Sequence, residues 1–338
     1  MRPLSVMLLA AACLFTRPAA SLEPGVLDAS TARALADRMT MLVESQALRP
    51  RSADEYAAAK ARLYEVLGAE AAPVDRSTLY ARARAVLATL DTDGHTLLWS
   101  RDEMANWQRA TNPEQASDAD ASEIVTSATR PVLIVRPPQT TFTDGPSVSR
   151  YIVLLRHRLA MDIARAQPCS VLVDLTRQRG GNAWPAMIAM SGLFTESNSA
   201  RFVDRDGARQ PMLSHATLEA YRKGLELPSL DPLKRFATVP FAIVVDKRTA
   251  SAGEMVAIAL KGESRARLFG QPTYGATTAN RIVALPDGAL ILLTISRYAF
   301  GNAAPVRGPL QPDQTSTVDA SLGDAIKWLE TRASACRS

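Results

Sequence analysis

Two runs in this chain are apolar almost throughout, "SVLVDL" (170–175) and "FAIVV" (241–245). Short, β-branched and without a polar side, each reads as a buried strand. Each is followed by a turn and then by helix-period sequence, "AWPAMIAMSGLF" after the first and "AGEMVAIALKG" after the second. The pattern recurs upstream, where the strand "VLIVRP" leads to the helix "SVSRYIVLLRHRLAMDIARA". Strands alternating with crossover helices give a mixed sheet with helices on its faces, an α/β (α+β) class. Two hairpins are expected as well, "ARFVDRDGARQPM" turning at its Asp-Gly and "NRIVALPDGALILLTISRYAF" turning at its Pro-Asp-Gly. Further helices are expected near "ATLEAYRKG" and over the terminal "SLGDAIKWLETRAS".

Ahead of this pattern lies different sequence. Three Ala-rich segments of helical spacing, each opening on Ser or Asp, run from Asp28 to about Leu90 and are separated by Pro50 and Pro73. They form a small helical unit over 22–90, with a core over 91–338. The polar stretch from Asp102 to Thr129 reads as loop or weak helix. Residues 1–21 carry Arg2, an apolar run from Leu4 to Phe15 and small residues at Ala19, Ala20 and Ser21. That run is too short to span a bilayer, so it reads as a secretory signal, and the mature chain is expected to be periplasmic or secreted. "LAAAC" also resembles a lipoprotein signal, which would put a lipid anchor on Cys13. Removal near Ser21 would leave Cys169 and Cys336, an exported pair able to form a disulfide. Neither has a histidine nearby in sequence, so no metal is expected, and nothing calls for a cofactor. The formal net charge of +5 rests on arginines scattered through helices, a solvated face rather than a nucleic-acid surface.

Chemistry gathers at three turns. Ser251 stands between strand 241–245 and the helix after it, either capping that helix with Glu254 or raised as a nucleophile beside backbone N–H groups. Gly180 and Gly181 follow strand 170–175, either as a flexible turn or because only glycine lets backbone amides approach a reacting carbonyl closely. His95 lies in "DGHT", either a solvated turn residue or a base. The remaining histidines, His157 and His215, have no catalytic context.

Taken together, "VLVDLTRQRGGN", "VVDKRTASAGE", "FGQPTYG", "LPDGALILLT" and "LQPD" occur in the order and spacing of the C-terminal-processing (tail-specific) serine peptidases. The chain resembles that family over roughly residues 85 to 330. The resemblance implies a ClpP/crotonase-like core, a peptide or protein substrate, Ser251 as nucleophile, and an oxyanion site from the amides of Ala252 and Gly180 or Gly181. Thr176 and Gln178 depart from the family's "DLR-x-N-x-GG". Ala276 stands where Ser–Lys members carry lysine, and Val306 and Arg307 stand where Ser–His–Glu members carry an acid. These departures, and the lack of room for a PDZ domain between His95 and Val171, resemble the nisin-resistance-protein branch, which implies a Ser251–His95 dyad.

A histidine base of ordinary pKa gives a rate rising through roughly pH 6 to 7. Asp93, two residues away, or a backbone carbonyl would orient the ring. Trp184 either lines the pocket beside the glycine pair or packs in the core. The rivals are a crotonase-type acyl-CoA enzyme and a catalytically impaired peptide-binding protein of the same fold.

Overall fold

The computed structural model describes residues 25–68, 72–110, 121–126, 130–227 and 231–332. The expected leader, Cys13 and Cys336 lie outside them, while Cys169 is buried and disulfide-bonded.

Strand β1 (Val26–Leu27) leads into α1 (Ala29–Ser45) and α2 (Ala53–Glu65), and then β2 (Val74–Asp75), which pairs with β1, leads into α3 (Arg76–Ala88). Each helix starts where a side-chain oxygen meets an otherwise orphaned N–H: Asp28 accepts from Thr31, Ser52 from Glu55 and Asp75 from Thr78. Leu35, Met39 and Leu42 of α1 and Leu79, Ala83 and Val86 of α3 are buried at helical spacing. Their interior is completed from elsewhere, by Leu98, Leu285, Ile291 and Leu293.

Next come β3 (Leu97–Trp99), α4 (Arg101–Ala110), β4 (Ser122–Thr126), β5 (Pro131–Val135) and α5 (Gly145–Ala166). The stretch expected as loop or weak helix therefore contains a strand, β4. It pairs antiparallel with β5 at the sheet edge, where a strand with one neighbour needs less apolar sequence. The chain continues through β6 (Ser170–Asp174), α6 (Trp184–Ala189), β7 (Ala200–Asp204), β8 (Arg209–Pro211), α7 (His215–Gly224), β9 (Phe241–Val245) and α8 (Ala252–Lys261). It closes with β10 (Ala266–Gly270), β11 (Thr278–Ala284), β12 (Leu290–Phe300), β13 (Gln314–Thr315) and α9 (Val318–Arg332).

The strands form two main sheets. One has the order β13-β10-β9-β6-β5-β4 and is parallel except at β4. Val171, Val173, Ile243 and Val245 face the core shared with α5, α6 and α8. Leu172, Ala242 and Val244 face Ala325 and Leu329 of α9. Because side chains alternate between the faces of a strand and both faces are covered, the two runs are apolar on both sides through 171–173 and 241–245. The second sheet, β11-β12-β7-β8 with β3 also on β12, is antiparallel and built on the two expected hairpins. One of its faces supplies the residues that finish the helical unit's core.

Parallel neighbours β6 and β9 are paired with Leu172 opposite Ala242 and Asp174 opposite Val244. Their outgoing loops therefore leave the same end of the sheet side by side, where open α/β sheets place their sites.

Candidate active site

Ser251 is held at φ 51° and ψ −109°, a conformation that non-glycine residues rarely adopt and that costs free energy unless its surroundings impose it. Several contacts impose it. The Ala250 N–H donates to the Gln178 carbonyl at 2.9 Å, and the Thr249 hydroxyl donates to the Leu175 carbonyl at 3.0 Å. The Ser251 N–H donates to Glu254 Oε2 at 2.9 Å, and the other oxygen of that carboxylate accepts from the Gly275 N–H at 2.7 Å and from Thr273. Glu254 is fully buried, and burial pushes its carboxyl above the usual range against the pull of those donors. It supports the turn, as the sequence suggested. Gly253 is required for a separate reason: a Cβ there would lie 2.5 Å from the Gln178 carbonyl oxygen.

The two glycines lie against different neighbours. Gly180, at φ +128°, lies against the serine, since a Cβ on it would be 3.6 Å from Ser251 Cβ. Gly181, at φ +104°, instead presses on the backbone of the preceding segment, where a Cβ would fall 2.0 Å from the Thr140 carbonyl oxygen. Among the described residues none of the Gly180, Gly181 and Ala252 N–H groups has a hydrogen-bond partner. Such unpaired donors beside a hydroxyl are what an oxyanion needs.

His95 arrives from the other side, on a tight turn in which Asp93 and Gly94 take positive φ values of 51° and 76°. Its Nε2 is 3.2 Å from Ser251 Oγ. Its Nδ1 is 2.7 Å from Thr278 Oγ1, and Asn280 Nδ2 lies 3.1 Å from Nδ1 and 3.0 Å from Nε2. Thr294 donates to Asn280 Oδ1 at 2.7 Å, so the amide presents its NH₂ to the ring. Burial holds the imidazole down at about 4, with Asp93 pulling weakly the other way.

The orienting group is thus neither of the two that sequence proximity offered. Asp93 Oδ2 is taken by Arg297 Nη1 at 2.7 Å, and Arg297 Nη2 also donates to the Asp91 carbonyl at 2.7 Å. Arg307, found where some relatives have an acid, binds the Asp91 carboxylate at 2.9 and 3.1 Å. The two arginines tie down the histidine loop, and the threonine hydroxyl meets the ring. The expected rise of rate through pH 6 to 7 needs the same correction, because an imidazole held at about 4 is already neutral there. Two lysines near Ser251 in sequence take no part in this network: Lys247 is exposed and Lys261 is paired with Asp313. Trp184 packs on Tyr221 with ring centroids 5.2 Å apart.

Thr278, Asn280, Arg297 and Arg307 carried no signal of this role in the sequence. His95 and Thr278 stand 183 positions apart.

Residues 157–316 match the family model of peptidase family S41. The chain is 27% identical over 166 residues to the nisin-resistance protein of Lactococcus lactis subsp. lactis, a match covering 48% of this chain and 50% of that protein. It is 44% identical over 59 residues to the chloroplastic carboxyl-terminal-processing peptidase 2 of Arabidopsis thaliana, covering 18% of this chain and 12% of that one. The chain thus spans about half the length, or less, of these curated relatives. Among solved structures, a lipoprotein from Streptococcus agalactiae superposes with a TM-score of 0.68 at 20% identity, over 93% of this chain and 99% of that one. The photosystem II D1 C-terminal processing protease gives 0.53 at 14% identity, over 85% and 93%. At these identities the structural matches speak for the mixed α/β fold.

Proposed function

We propose that this chain is an exported serine peptidase that hydrolyses peptide bonds in peptide or protein substrates through Ser251 and His95. The observation that carries the reading is the 3.2 Å approach of Nε2 to Oγ between residues 156 positions apart. His95 takes the hydroxyl proton as Oγ attacks the carbonyl carbon, and the resulting oxyanion accepts from the Ala252 and Gly180 N–H groups. The imidazolium then protonates the leaving amine, and water releases the acyl group by the same steps. Gly181 supports this site by letting the loop close on Thr140. Export rests on the leader sequence, and the likeness to a lipoprotein and a nisin-resistance protein is compatible with it.

A fluorophosphonate probe tests the reading. Ser251 is expected to be labelled in the folded protein, and Ser251→Ala is expected to lose both labelling and hydrolysis. Labelling that persists in the alanine variant removes Ser251 from the role. A peptide-binding protein of the same fold is the second reading, favoured by the lack of a carboxylate on His95, and it predicts no labelling at all.

A further inference from the structure

In a Ser–His–Asp arrangement the third residue holds the imidazole in the tautomer that leaves Nε2 free, and its charge stabilises the imidazolium. Among the described residues no carboxylate bonds to the ring. Asp93 and Asp91 on the histidine's own loop are engaged by Arg297 of β12 and by Arg307. Glu254, at the start of α8, is occupied by the Ser251 and Gly275 N–H groups and by Thr273. What does meet the ring comes from β11: Thr278 Oγ1 at 2.7 Å from Nδ1, and the Asn280 amide at 3.0 to 3.1 Å from both nitrogens. Both are backed by β12, since Tyr298 Oη donates to the Thr278 carbonyl at 3.1 Å and Thr294 to Asn280 Oδ1 at 2.7 Å. Thr278 is itself buried at 3% exposure.

We propose that Thr278 is the positioning residue of His95, with Asn280 as its support, so that the third place of the catalytic set is filled by a neutral hydroxyl. The chemistry requires an acceptor at that place. A histidine that is to take the Ser251 proton on Nε2 must carry its own proton on Nδ1, and once charged it donates from both nitrogens. Thr278 Oγ1 faces Nδ1 and accepts in both states. It fixes the ring as a carboxylate does, but it supplies a dipole where a carboxylate supplies a charge. The inference rests on the dyad reading above.

The test compares Thr278→Val, Thr278→Ser and Asn280→Asp with His95→Ala, reading kcat and KM against pH on one peptide substrate. Histidine nitrogen NMR accompanies the kinetics, since the chain has only three histidines to resolve. Valine keeps the β-branched shape and strand preference of threonine, and melting temperatures check that each variant is folded. Thr278→Val is expected to lower kcat roughly ten- to hundredfold, the loss of one hydrogen bond to a charged group, with KM little changed. It should also lose the Nδ1–H tautomer signal of His95. Thr278→Ser should restore most of both. Asn280→Asp, which sets a carboxylate beside the ring, should move the acid limb of the pH profile upward by about one to two units. If His95→Ala is inactive while Thr278→Val keeps wild-type kcat, pH profile and tautomer, the positioning role falls and the dyad stands. If His95→Ala is active, the dyad itself falls.

Discussion

The two sheets hold their halves of the site by different means. On the parallel sheet, Ser251 and Gly180 are set by backbone conformation and close approach: a positive φ at the serine, glycines where a Cβ would collide, and carbonyls of one loop bonded to the N–H groups of the next. On the antiparallel sheet, His95 is set by side chains, a threonine, an asparagine and an arginine reaching from β11 and β12. One half is sensitive to added volume, the other to lost polarity. Substitutions should therefore fail differently on the two sides.

The largest effect expected is the loss of either reacting group. Ser251→Ala and His95→Ala should each lower peptide hydrolysis about 10⁴-fold or more, and combining them should cost little beyond either alone, since residues that act as a unit do not add. Additive losses in the double variant would show that the two sheets do not work on one reaction. Next come the glycines. Gly180→Val should reduce turnover by about two to three orders of magnitude, because an L side chain is strained at φ +128° and the backbone shift would displace an oxyanion donor. Gly181→Ala should appear first in the melting temperature, because its Cβ meets the Thr140 carbonyl. Equal effects of the two on stability would erase the division of roles within the pair.

The pH response tests the antiparallel side. With His95 held at about 4, the acid limb of kcat/KM is expected near that value, and a limb at pH 6 to 7 would mean that the ring is not buried as described. The same shift links to stability. Because folding lowers this pKa from 6.5, the unfolded chain binds the proton more readily. Stability from this group is thus full above about pH 6.5 and lost as pH falls toward 4, a slope in melting temperature that His95→Ala should flatten. Smallest of all, Lys247→Ala and Lys261→Ala should change turnover less than about twofold, the latter losing only an ion pair near the surface. A large loss from either would reopen the question of a lysine base.

Sequence revealed the parallel side far better than the antiparallel side. Strands 170–174 and 241–245 announce themselves because both of their faces are covered, and Ser251 and Gly180 stand at fixed offsets after them. The edge strand β4 and the three-residue β3 do not, since one-sided or brief pairing leaves little apolar pattern. Thr278 and Asn280 are ordinary strand residues until a partner more than 180 positions away is brought to them. Asp93 looked suitable because it is near His95 in sequence, but Arg297 had already claimed it. The lowered pKa of His95 comes from burial, which no local motif encodes.

Strand β12 is the common neighbour of β11, β7 and β3, and its Thr294 carbonyl also accepts from Leu48. This one segment therefore gathers ends of the chain made far apart in time. During synthesis the helices of the first hundred residues and the turn bearing His95 emerge early, but the strand that seats them arrives only with Leu290–Phe300. Contacts of such long sequence separation are the slow ones in folding. The hydroxyl and the imidazole are not seated together until β12 has been made, so a chain that has passed residue 251 but not yet reached it carries both groups and brings neither to bear.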